Sequence, residues 1–196
     1  MATWAPQKND TLDALAAEIL SFYGVGRSVI AVDGTSNAGT AAFADGLAEA
    51  IVRAGHTVFR ASESDFRSPE AHPSSAIAYY EGAFDRTGLV AGLVEPFRAG
   101  TPFALAAGAE PTTDAQADAV LVVDGVFLNR QELSGLWNYS IFVEKPLAPS
   151  SGSEDGAIEV GADEVYLDRV RPRAAAVAII DNRDPEHPRR VFADAC

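Results

Sequence analysis

The sequence predicts an α/β protein, a three-layer sandwich around a parallel sheet. Two observations carry this reading. Short, mostly apolar and β-branched runs recur along the chain, as SVIAV (28–32), HTVFRA (56–61), AVLVVDG (119–125), YSIFVE (139–144) and AAAVAII (174–180). Such runs, with little polar alternation, suit strands buried on both faces of a sheet. Segments of helical periodicity lie between them, so the strands need crossover connections that place helices on both faces. With 196 residues, 47% hydrophobic and 22% charged, the chain suits a single domain over 1–196 with its own core.

Residues 1–9 are expected to form a short tail. Leu12, Leu15, Ala16, Ile19, Leu20 and Tyr23 then recur at helical spacing. Asp10 and Thr11 are both candidate caps, and Gly24 follows the last apolar position. After the first strand, a helix is predicted from Thr40 to Ala54 with Phe43, Leu47 and Ile51 on one stripe. Short helices are predicted over 75–84 and 87–97. The Ala-, Gly-, Thr- and Pro-rich stretch 99–117 reads as a surface connection, 128–136 as helical turns, and 149–161 as a Ser-, Gly- and acid-rich loop. In parallel sheets of this kind ligands bind at the carboxyl ends of the strands.

Lys and Arg total 15 against 28 Asp and Glu, a net charge of −13. A surface so charged repels polyanions, which argues against nucleic acid as a partner. No apolar run reaches the roughly 20 residues of a membrane span. The opening MATWAPQKND lacks the basic stretch and apolar block of a signal peptide, so the expected location is the cytoplasm. Cys196, the only cysteine, excludes an internal disulfide and is expected to be an exposed tail thiol. His56, His72 and His187 are isolated and read as surface residues, with neither a metal site nor a Ser-His-Asp arrangement in view. Thirteen of the basic residues are arginines, and Lys8 and Lys145 are the only lysines. A step that needs a lysine therefore has few places to occur.

The strand SVIAV runs through Asp33 into Gly34, Thr35, Ser36, Asn37, Ala38 and Gly39, and then into the helix that begins Thr40-Ala41. Strand, glycine loop, helix is the context of the phosphate-binding pattern GxxxxGK[ST], and Gly34 and Gly39 have its spacing. Further stretches follow in order: FRASESDFRSPEA (59–71), YYEGAFD (79–85), VLVVDGVFLNRQELSGLWNYSIFVEKP (120–146) and VAIIDNRDPEHP (177–188). Together, over nearly the whole chain, these resemble the uridine kinase-like branch of the P-loop nucleoside kinases. The resemblance implies a P-loop NTPase-type sandwich and transfer of the ATP γ-phosphoryl group to a hydroxyl of a nucleoside or another small molecule. Loop amides and a Lys would hold the phosphates, a Ser or Thr hydroxyl would bind Mg²⁺, and a carboxylate would orient the attacking hydroxyl. On this chain, Gly34 through Ala41 match the phosphate loop, while Asp181 and Asn182 match the border of the nucleotide base. Asp124 matches a carboxylate that touches Mg²⁺, or else fixes the following turn with Gly125. Asp33, Ser64, Phe66, Arg67, Tyr80, Phe84 and Asp85, with Tyr79, match the surroundings of the acceptor. Asp33, Asp65, Asp124 and the Phe66–Arg67 segment are expected to converge on one cleft beside the glycine loop.

The pattern is broken at several positions. Thr40 stands where the resemblance expects Lys, and Ala41 where it expects the Mg²⁺ hydroxyl. The usual Asp-Asp-Phe appears as Ser64-Asp65-Phe66. No arginine lies between Lys145 and Arg169, and the lid over about 148–163 reads as reduced and acidic. One lost preorganised donor costs about 10²- to 10³-fold, and a general base supplies about 10²- to 10⁴-fold. The sequence therefore reads as a uridine kinase-like protein impaired in phosphotransfer that keeps a small-molecule pocket, with ATP and Mg²⁺ as ligands only if nucleotide binding survives. The alternative is an active kinase in which Lys145 supplies the missing cation and Asp65 serves as a displaced base. A third reading places different chemistry on the same scaffold.

Overall fold

The computed structural model describes residues 7–68, 73–112, 116–147 and 153–192. Helix α1, Lys8–Tyr23, leads into β1, Ser28–Gly34, and then α2, Thr40–Arg53. Strand β2, Val58–Ser62, ends in a 3₁₀ turn, Glu63–Phe66. Helix α3 is Ala76–Gly82, and α4, Arg86–Leu89, passes through a π turn at Val90–Val94 into α5, Glu95–Ala99. Strand β3, Val120–Val126, a 3₁₀ turn at Gln131–Leu133 and β4, Tyr139–Glu144, follow. The chain continues with α6, Glu154–Val170, α7, Pro172–Ala175, β5, Ala178–Asp181, and β6, Arg189–Val191.

The sheet order is β2-β3-β1-β4-β5-β6. The five strands β1 to β5 pair in parallel, and β6 returns antiparallel to β5. Alternation along the strands divides the core. Ile30, Val32, Val120, Val122, Ile141 and Ile180 pack with α1 and α2 on one face. Val29, Ala31, Leu121 and Val123 pack with the α4–α5 segment on the other. Farther along that second face, Phe142 and Ile179 meet Tyr79, Tyr80 and Tyr166 from α3 and α6. This is the three-layer α/β sandwich that the apolar strands predict.

Four boundaries differ from the sequence reading, each for a local reason. Helix α1 begins at Lys8, inside the expected tail, because Gln7 and Asp10 cap each other; the Gln7 amide donates to Asp10 at 3.0 Å. Helix α6 begins at Glu154, inside the expected loop. Ser153 caps it by accepting from the Gly156 amide at 3.1 Å, and Glu154 and Asp155 suit the positive end of the helix. Strand β5 starts only at Ala178, since Arg171 turns left-handed at φ 52 and Pro172 opens the short α7. Strand β6 is too short and too charged, Arg-Arg-Val, to show in an apolar pattern. Of the expected lid, residues 148–152 lie outside the described residues, as do His72 and Cys196. Among the described residues no helix is long and apolar enough to cross a membrane.

Candidate functional site

The glycine loop leaves the carboxyl end of the central strand and closes tightly. A Cβ on Gly34 would lie 2.7 Å from the Thr40 methyl, 2.8 Å from the Val143 carbonyl and 2.9 Å from Ala38, so only glycine fits. The Ala38 amide donates to the Thr35 carbonyl at 2.9 Å, and Gly39 caps α2 with φ 79, a left-handed conformation that glycine adopts without strain. Two side-chain amides clamp the loop to neighbouring strand ends. Asn182 donates to the Ala38 carbonyl at 2.8 Å, and Asn37 donates to the Pro146 carbonyl at 2.9 Å. The first intrahelical donor of α2 is Phe43, bonded to Gly39 at 3.1 Å. The Thr40, Ala41 and Ala42 amides before it have no intrahelical acceptor, and the helix dipole favours an anion there. At position 40 the side chain is a threonine rather than a cation, and its methyl lies toward Gly34.

The sequence-predicted carboxylates do not converge. Val32 pairs with Asp124 and Asp33 with Gly125, so the two acids on adjacent strands are one residue out of phase and face opposite sides of the sheet. Asp33 is fully buried and accepts from the Leu128 amide at 3.0 Å, from Asn129 Nδ2 at 2.6 Å and from the Tyr166 hydroxyl. Burial pushes it up to about 6 against these donors. It ties β1 to the β3–β4 connection and α6. Asp124 faces the α2 side at the end of β3. It accepts from Arg60 at 2.8 Å and from the Ser62 hydroxyl at 3.2 Å, while Arg60 also reaches Asp45 on α2.

On the acceptor side, Ser64 and Asp65 are exposed on the 3₁₀ turn after β2, and Phe66 packs inward. Arg67 lies over the rings of Tyr79 and Phe84 at 5.7 and 5.4 Å, and donates to the Tyr79 hydroxyl at 3.1 Å. That hydroxyl in turn donates to Glu159 at 3.3 Å. Arg67, Tyr79, Ile158, Glu159 and Glu154 line a cavity of about 510 Å³ between the Arg67 segment, α3 and α6. Tyr80 and Phe84 belong to the adjoining core, with Arg130 4.0 Å over the Tyr80 ring. Asp85 caps α4 through the Gly88 amide at 2.8 Å. Lys145 is exposed beyond β4 and lines a separate cavity of about 360 Å³ with Glu144, Pro146, Asp181 and Arg183. Asp181 is held by Arg183 at 2.6 Å and Arg189 at 3.4 Å, and its hydrogen bond with Arg183 keeps its carboxyl below the usual carboxylate range.

Three contributors were missed by sequence reasoning. Arg60 sits in a strand that reads as apolar. Glu63, fully buried beside Ser64, accepts from the Val126 amide at 3.1 Å, and burial pushes it up to about 8. Asp163, on α6, contacts the glycine loop itself. Its carboxylate accepts from the Ser36 amide at 3.1 Å and the Ser36 hydroxyl at 2.6 Å. Glu159, Asp163 and Tyr166 stand at positions i, i+4 and i+7, one helical face, and that spacing was the signal available.

The amides at the start of α2 suit an anion such as a phosphate group. The donor set does not fit Mg²⁺. Position 41 offers no oxygen, Asp124 is taken by Arg60, and among the described residues no cluster of three or more His, Cys, Asp or Glu side chains is placed to hold a metal.

No family model and no curated protein matches the sequence. Solved structures do resemble the fold. A protein described as a possible uridine kinase from Bacillus stearothermophilus superposes with a TM-score of 0.69 at 21% identity, covering 88% of this chain and 98% of that one. A candidate fructose transport system kinase from Silicibacter sp. TM1040 superposes with a TM-score of 0.60 at 18% identity, covering 84% and 95%. At such identities the likeness is one of architecture: the chain has a P-loop kinase-like α/β fold, with its glycine loop at the head of α2.

Proposed function

We propose that this protein is a uridine kinase-like binding module in which ATP phosphotransfer is impaired, and that its 510 Å³ cavity takes a small molecule or nucleoside. The observation that carries this reading is the double loss at the loop. Thr40 brings no cation and Ala41 no hydroxyl at the position where the pattern has its metal ligand, and Arg60 already occupies Asp124. Backbone amides at a helix N-terminus still hold an anion, but with a fraction of the affinity that a lysine and a metal add. We read 1–196 as one kinase-like unit acting in the cytoplasm, with nucleic acid disfavoured by the net charge of −13. Calorimetric titration with ATP, with and without Mg²⁺, tests this. The expected result is millimolar or weaker binding that Mg²⁺ does not change. Micromolar, Mg²⁺-dependent binding with turnover of roughly 1–100 s⁻¹, as in working kinases, overturns it.

One observation favours the active-kinase alternative. The Asn37–Pro146 bond ties the residue after Lys145 to the glycine loop, and Lys145 is the chain's second lysine. If wild-type turnover is found and Lys145→Ala abolishes it, that reading replaces the first.

A further inference from the structure

The glycine loop carries an anion supplied by the protein itself. Asp163 is only 1% exposed, and its carboxylate rests on the Ser36 amide and hydroxyl through the bonds given above. Among the described residues no Lys or Arg forms an ion pair with it. Serine and the loop backbone are thus its donors. A carboxylate presents the same acceptor chemistry as a phosphate oxygen, and loop amides of this kind bind either.

We propose that Asp163 is a built-in occupant of the Ser36 donors of the glycine loop, so that a phosphate group reaches those donors only by displacing this carboxylate. The inference rests on reading Gly34–Gly39 as an anion-binding loop. Two other contacts on the same helical face show that the placement belongs to the whole helix. Tyr166 donates to Asp33 beneath the loop, and Glu159 accepts from Tyr79 at 3.3 Å. Gly161 lets α6 approach α3, since a Cβ there would lie 2.8 Å from that of Ala76. The helix is therefore anchored on either side of Asp163, to α3 at Glu159 and to β1 at Tyr166. A second anion at the Ser36 donors would face the buried Asp163 charge at short range, so the loop holds one or the other.

The test compares wild type with Asp163→Asn, which keeps the shape and one acceptor but removes the charge. Inorganic tripolyphosphate, titrated calorimetrically without metal, reports the loop, and amide hydrogen exchange of residues 34–41 and 154–170 reports the helix. The expected result is an affinity at least tenfold higher in the variant, with faster exchange along α6. Ser36→Ala, which removes the hydroxyl donor and leaves α6 unaltered, is expected to shift both readouts the same way by less, and it decides the matter if Asp163→Asn fails to fold. Equal and measurable tripolyphosphate affinity in all three proteins overturns the occupant role while leaving the loop an anion site. No binding by any of them, even with exchange accelerated, shows that no anion site lies beneath Asp163, and both readings fall.

Discussion

At the end of β2 the chain buries a carboxylate beside an arginine without completing their hydrogen bonds. Glu63 Oε1 lies 3.8 Å from Arg86 Nε, and neither atom has a hydrogen-bond partner. Burial outweighs the pull of Arg86 and raises Glu63 to about 8. An acid whose pKa is higher in the folded state than in the unfolded one binds its proton more tightly when folded. The stability linked to that proton is therefore present at low pH and lost as pH rises from the unfolded value through about 8. Glu63→Gln removes the ionisation while keeping an acceptor for the Val126 amide. Its melting temperature is expected to match wild type near pH 4, at or below the unfolded value, and to exceed it by roughly 5 °C or more at pH 9. A gap that stays constant with pH, or reverses, contradicts a buried titrating Glu63. Nothing in SESDF marks Glu63 as buried: an acid at a strand end usually points to water, and only the 3₁₀ turn at Glu63–Phe66 folds it inward.

Among the elements, α2 was legible and α6 was not, for opposite reasons. Phe43, Leu47 and Ile51 give α2 an apolar stripe that packs into the sheet, and a glycine at its head marks the start. Helix α6 buries Ala162, Asp163 and Tyr166 instead, and its Ser-, Gly- and acid-rich start, SGSEDG, looks like a solvated loop. The same contrast bears on the loop chemistry. Thr40→Lys with Ala41→Thr should raise ATP affinity at least tenfold, because Lys neutralises phosphate charge. With Arg60 still on Asp124, that gain should survive chelation of Mg²⁺. Adding Arg60→Ala should make it Mg²⁺-dependent, since Asp124 then loses its cation. If the double variant is already Mg²⁺-dependent in isothermal titration, Arg60 does not withhold Asp124 from the metal.

For the whole molecule, the sheet was readable because a strand buried on both faces must be apolar throughout. The site was less so, because register and pleat decide which face each acid takes, as with Asp33 and Asp124. Burial of charge also shapes the stability of the complete fold. Asp33 and Asp163 are raised to about 6 and Glu63 to about 8, so in this range the folded state holds more protons than the unfolded one. Their contribution is fully present below the ordinary carboxylate values and is lost as pH climbs through about 6 and then about 8. Glu18 and Asp181 are lowered by hydrogen bonds from arginines, and Glu132 by a backbone hydrogen bond and then by Arg130, so their contribution appears above the ordinary values and is lost as pH falls through their lowered ones. The two sets act in separate ranges, the lowered acids below the ordinary carboxylate values and the raised acids above them. A net charge of −13 adds self-repulsion that eases on acidification. The melting temperature should therefore peak near the ordinary carboxylate values, about pH 4, and decline steadily to pH 9. Salt separates the causes, since screening weakens surface repulsion far more than it affects buried groups. A slope between pH 6 and 9 that persists in 0.5 M NaCl (about a 4 Å Debye length) and is reduced by Glu63→Gln assigns it to the buried acids. A profile that turns flat in salt assigns it to surface charge instead and removes the basis for titration at Asp33, Glu63 and Asp163.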